Sequence, residues 1–135
     1  MQAPHAIVYD LEAFSSTPAC LDAVDSFVSA WVWRLHIRSA GEKAGLYGSS
    51  CGSNLETLYY ATSPRPDWIW GADWDNILDV ANMACVGSNH WTGYTRHKQY
   101  RGPQNETWGG LTLNVDRDCA YGPMYANQDR ILGYC

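Results

Sequence analysis

The sequence predicts an α/β fold built on a parallel sheet, and three observations predict it. Short runs rich in apolar and aromatic residues alternate with a helical pattern, or with connections long enough to cross over. The run at 68–75 begins apolar on both parities, as a strand covered on both faces requires. Polar and aromatic residues gather at the C-terminal end of each run: Asp10 and Glu12, Tyr47, Trp74 and Asp75, Gln99 and Tyr100, Asp116. Parallel α/β folds, barrels above all, place their sites at that edge.

The first strand spans Ile7 to Phe14. Ser15-Ser16-Thr17-Pro18 follows as a loop, with Thr17 as N-cap and Pro18 at the first helical position. Leu21, Val24, Val28, Trp31 and Leu35 recur at spacings of three and four and define one apolar helix face, which Gly41 ends. A short strand over 43–50 comes next, then a helix from Asn54 to about Ala61 capped by Ser53. The Ser-Pro-Arg-Pro run at 63–66 is a turn, and 68–75 a strand. Residues 77–85 read as a short helix and 96–100 as a strand. Residues 102–110 are a loop rich in turn formers, and 111–118 the last strand. From Cys119 to Cys135 periodicity fades into an irregular tail.

One domain accounts for 135 residues without a linker or repeat. A net charge of -5 without any Lys/Arg cluster argues against nucleic acid, and no apolar run has the length of a membrane span. Neither a basic nor an apolar segment marks the first residues as a signal peptide. Seven Trp and nine Tyr against two Phe lean towards flat surfaces that are half wet, the kind on which sugar rings stack. The five Cys lack zinc-type spacing, so neither a metal nor another cofactor is expected. They suggest instead an oxidising compartment with one thiol left over. Cys20 follows the first strand and Cys51 the second; loops after consecutive parallel strands lie side by side, which makes this pair a disulfide candidate.

The sharpest chemical signal is Asp10-Leu11-Glu12. In a strand, positions i and i+2 point the same way, roughly 6–7 Å apart. Two carboxylates at that range suit glycoside hydrolysis, in which one protonates the leaving oxygen and the other attacks or stabilises the sugar cation. The bland alternative is a strand end with two acids dissolved in loop water.

Six blocks in register carry a resemblance: Tyr9–Phe14, Leu46–Ser50, Ile69–Asp75, Gln99-Tyr100, Asn105–Gly110 and Leu113–Asp116. Over about residues 6–118 the chain resembles a bacterial glycoside-hydrolase-like domain of unknown function, distantly related to the family 25 lysozymes. Those enzymes are (β/α) barrels that cut peptidoglycan. The resemblance implies a TIM-barrel type of fold, here only its C-terminal five or so βα units. It also implies an internal start, because three strands precede the Asp-x-Glu strand in the lysozymes. It makes Glu12 the acid/base, with Asp10 and Asp116 as its carboxylate partners. Tyr47, Trp70, Trp74, Gln99, Tyr100, Asn105 and Glu106 would line the sugar groove. Trp70 and Trp74 share strand parity, so one of the two is expected in the core. Lys98 and Pro103-Gln104 stand where the domain usually has His-containing positions. The implied partner is a polysaccharide, peptidoglycan above all, met outside the cytoplasm or in the cell envelope. The alternatives are a non-catalytic glycan-binding module and an inactive remnant.

Overall fold

A computed structural model of the chain describes residues 6–38, 42–52, 55–92 and 95–121. Seven elements follow one another: β1 (Ala6–Asp10), α1 (Pro18–Arg38), β2 (Lys43–Ser49), α2 (Leu55–Ala61), β3 (Trp68–Ala72), β4 (Arg96–Trp108) and β5 (Leu111–Tyr121). The strands form one sheet in the order β1-β2-β3-β4-β5; the first four run parallel, and β5 is antiparallel to β4.

The alternating (β/α) barrel is thereby overturned. The fold is a curled, mixed five-stranded sheet, half a barrel wall in shape, in which strands dominate and only two connections are helical. Two causes break the alternation. After β3, residues 77–85 form no helix. Buried groups reach out from β4 and hold this stretch open instead. The Arg96 guanidinium donates to the carbonyls of His90, Ala81 and Gly87, and the Lys98 ammonium meets Asp75 and Asp73 at 2.8 and 3.3 Å. After β4 the chain turns straight back through Gly109-Gly110, both at positive φ (57° and 83°), which a tight hairpin needs and glycine supplies. The expected loop at 102–110 is therefore mostly strand. Among the described residues, only β5 pairs with β4 beyond Tyr100, so the hairpin projects past the other described strands, with register shifts between Gln99 and Gln104.

α1 begins where Pro18 predicts. The Thr17 carbonyl accepts the first helical bonds, from the amides of Cys20 and Leu21 at 3.0 Å each, as an N-cap residue does. The core lies between the helices and one sheet face: Val28 and Val32 of α1, Leu55 and Leu58 of α2, and Leu46 and Ile69 of the sheet are all fully or almost fully buried. Each such side chain contributes about 1.5–3 kcal/mol.

The disulfide expectation needs correction. Cys51 is bonded to Cys85, with Cα atoms 5.1 Å apart, and Cys20 is a free thiol at the start of α1. The bond crosses from the end of β2 to the irregular β3–β4 connection. Cys119, expected in the tail, lies in β5, is buried and is also disulfide-bonded. Residues 122–135 of that tail lie outside the described residues.

Candidate active site

Strand register decides which side chains share a face, because directly paired residues point the same way. One row across the sheet reads Asp10, Tyr47, Trp70, His97. Two residues further on, Ser49, Ala72, Gln99 and Asp118 form the next row on that face. The intervening row, Gly48, Gly71, Lys98 and Cys119, faces the core. β1 ends at Asp10, but the Leu11 amide still donates to the Tyr47 carbonyl at 3.0 Å, which carries the ladder one residue towards Glu12.

Tyr47 is the centre of this face. Burial pushes its phenol above the usual value, and the nearby charges of Glu12, Asp10, Asp116 and Asp118, in that order of weight, push it further. The charges of the three expected acids therefore all bear on one phenol, together with that of a fourth, Asp118. The Trp70 indole N–H donates to Asp118 at 2.8 Å, and Trp70 meets the Tyr47 ring edge-on at 5.3 Å. Burial, with the charge of Asp116 against the relief of the Trp70 bond, raises the Asp118 carboxyl. An open groove of about 440 Å³ runs alongside, lined by Glu12, Tyr47, Ser49, Cys51, Asp73 and Trp74 among others. Of the four carboxylates, Glu12 is the one that lines it.

The other expected residues divide. Gln99 is buried and accepts hydrogen bonds from both Tyr47 and Trp74. Neither tryptophan is in the core. β3 stops at Ala72, so the parity argument does not reach Trp74, which is 59 % exposed, and Trp70 is half-buried on the site face. Asn105 pairs with Asn114 at 3.1 Å on the projecting arm, on the side that carries Asp116. Strand alternation sends Glu106 to the arm's reverse side, where Arg117 bonds it at 2.7 Å and also reaches Tyr100. Both are thereby engaged by partners on the arm itself.

Sequence reasoning missed Asp118 and His97. Asp118 repeats in Asp116-Arg117-Asp118 the i, i+2 spacing of Asp10 and Glu12, so that signal was present. His97 packs against Trp68 and Trp70, at ring distances of 4.6 and 6.4 Å. Burial pushes its imidazole down from 6.5 to about 4, so it is neutral at pH 7. As pH falls from 6.5 towards 4, the unfolded chain binds a proton there that the folded chain refuses, and stability drops. Across that window wild type should lose roughly 3 kcal/mol more than His97→Gln. Urea unfolding at stepped pH measures this; parallel profiles for the two proteins would disprove it.

Among the described residues, no three His, Cys, Asp or Glu side chains are placed to hold a metal ion, and no helix is long and apolar enough to cross a membrane. Carboxylates and exposed or half-buried indoles thus share one face of the sheet beside the groove. The chain belongs to the Rv2525c-like, glycoside hydrolase-like domain family, whose profile matches residues 1–120. No curated protein and no solved structure matches it at significant similarity.

Proposed function

We propose that this domain hydrolyses a glycan by carboxylate acid/base catalysis, with bacterial cell-wall peptidoglycan as the substrate. One observation carries the reading: Glu12 and Tyr47 line one groove with Trp74, and the charges of Glu12, Asp10, Asp116 and Asp118 all bear on the Tyr47 phenol. Glu12 is the proton donor and acceptor, because it alone of the four faces the groove. A sugar filling the groove displaces water from around Glu12, so that its proton transfer takes place in a drier setting. Asp10 and Asp116 stabilise the positive charge that develops on the sugar ring. Trp74 offers a flat face for stacking. The Cys51–Cys85 bond supports an oxidising setting outside the cytoplasm, where such a substrate lies.

A second reading, a glycan-binding module without turnover, draws on the openness of the groove, since water screens the charges that a closed site concentrates. Fluorescently labelled cell walls separate the two. Hydrolysis releases soluble label in proportion to protein and time. Label that is retained while the protein co-sediments with the walls assigns the binding module. Neither release nor co-sedimentation overturns both readings.

A further inference from the structure

Gln99 stands where the groove meets the sheet, and its geometry gives it a different task from touching substrate. It is 5 % exposed, and its Oε1 lies 2.8 Å from Trp74 Nε1 and 3.2 Å from the Tyr47 hydroxyl. An indole N–H only donates, so the amide must present its oxygen, not its nitrogen, to Trp74. The same oxygen then obliges Tyr47 to donate. The phenol proton is committed to Gln99. A molecule entering the groove meets the Tyr47 oxygen as an acceptor.

Trp74 shows the other half of the arrangement. An indole so exposed would ordinarily sample several rotamers. Here its N–H is tied to Gln99, and its ring lies against Gly102, where an added Cβ would stand only 2.7–2.9 Å from ring atoms. The preceding amide, Asp73 N, donates to the Gln99 carbonyl at 3.0 Å. Backbone and side chain of one buried residue therefore fix one exposed ring.

We infer that Gln99 is a positioning residue: it holds Trp74 as a preformed stacking platform and turns the Tyr47 oxygen towards ligand as an acceptor. The inference rests on the glycan reading for its purpose but not for its geometry. Preorganisation of this kind strengthens binding by removing the cost of ordering the side chain when ligand arrives.

Two substitutions test it. Gln99→Glu keeps an oxygen acceptor in place, whereas Gln99→Met keeps the length and removes the acceptor. In ¹⁵N NMR, the Trp74 indole N–H, assigned by its loss in Trp74→Phe, should exchange slowly with water in wild type and in Gln99→Glu. In Gln99→Met it should exchange at least tenfold faster. Affinity for a chitin tetrasaccharide should fall about tenfold in Gln99→Met and in Trp74→Ala, with no further loss in the double variant, because both remove the same platform. Additive losses, or a fast-exchanging indole in wild type, would overturn the inference. If wild type binds no oligosaccharide or cell wall, the glycan reading fails, and the exchange measurement still decides the role of Gln99.

Discussion

Glu12→Gln should reduce glycan cleavage by about 10²–10⁴-fold, the usual contribution of a positioned acid/base, with binding retained. The amide has the same shape and still hydrogen-bonds, but it cannot pass a proton to the leaving oxygen. Loss should therefore appear in kcat and leave KM nearly unchanged, as expected when an interaction made only in the transition state is removed. A second readout needs no substrate. Glu12 is the foremost of the charges that push the Tyr47 phenol up, so its neutralisation should bring the Tyr47 titration down. Ultraviolet titration, with Tyr47→Phe to identify the signal, reads this directly. A lowered phenol with unchanged cleavage would place Glu12 in the site yet deny it the chemistry. An unmoved phenol would remove Glu12 from the cluster altogether.

The sequence and the fold agree where structure is decided locally. Pro18, the apolar face of α1 and the both-sided apolarity of 68–72 set elements whose partners lie one crossover away, so the parallel pairing of β1, β2 and β3 follows. They part company where distant groups decide. Ile77, Leu78, Val80 and Met83 have the spacing of a helix, but Arg96 and Lys98 bond the carbonyls and carboxylates of that stretch, and Cys85 is bonded to Cys51. No local pattern announces such long-range partners. Around 102–110 the turn formers Gly102, Pro103 and Asn105 masked a strand, while the stronger hairpin signal was Gly109-Gly110 between Trp108 and Leu111.

The same division runs through the site. Asp10 and Tyr47 pair directly on neighbouring parallel strands, whose side-chain period the sequence displays, whereas Glu12 lies two residues past the end of β1 and lines the groove from there. Asp118 joins them through the antiparallel register that sets it opposite Gln99, and that register depends on where the hairpin turns. The roles of Gln99 and Trp74 were half legible. Their presence at the groove follows from strand ends, but which of them meets ligand depends on burial, and burial is a property of the folded sheet.

Lys98→Met should cost about 3–5 kcal/mol of stability, the range for removing one partner of a buried ion pair, and lie towards its lower end. Lys98 is fully buried on the core face of β4, a place where a lysine is rarely found unless paired. Its ammonium bonds Asp75 at 2.8 Å and also donates to the Asn82 carbonyl, with Asp73 at 3.3 Å. Burial alone would raise the Asp75 carboxyl, yet the hydrogen bond from Lys98 and the amide of Ile77 together hold it below its usual value. Methionine fills the stem's volume but leaves two carboxylates and a carbonyl facing apolar atoms. The side chain of Asp75 is 27 % exposed and that of Asp73 11 %, so both regain some water, which keeps the loss near 3 kcal/mol. The damage should also reach the groove, because Asp73 and Asp75 flank Trp74 in sequence. Urea unfolding gives the stability, and the Trp74 indole exchange rate gives the local effect. Lys98→Met combined with Asp73→Asn and Asp75→Asn should recover part of the loss, since the amides carry no stranded charge. A Lys98→Met protein within about 1 kcal/mol of wild type, the scale of a surface ion pair, would show that the lysine fills space without holding the connection in place.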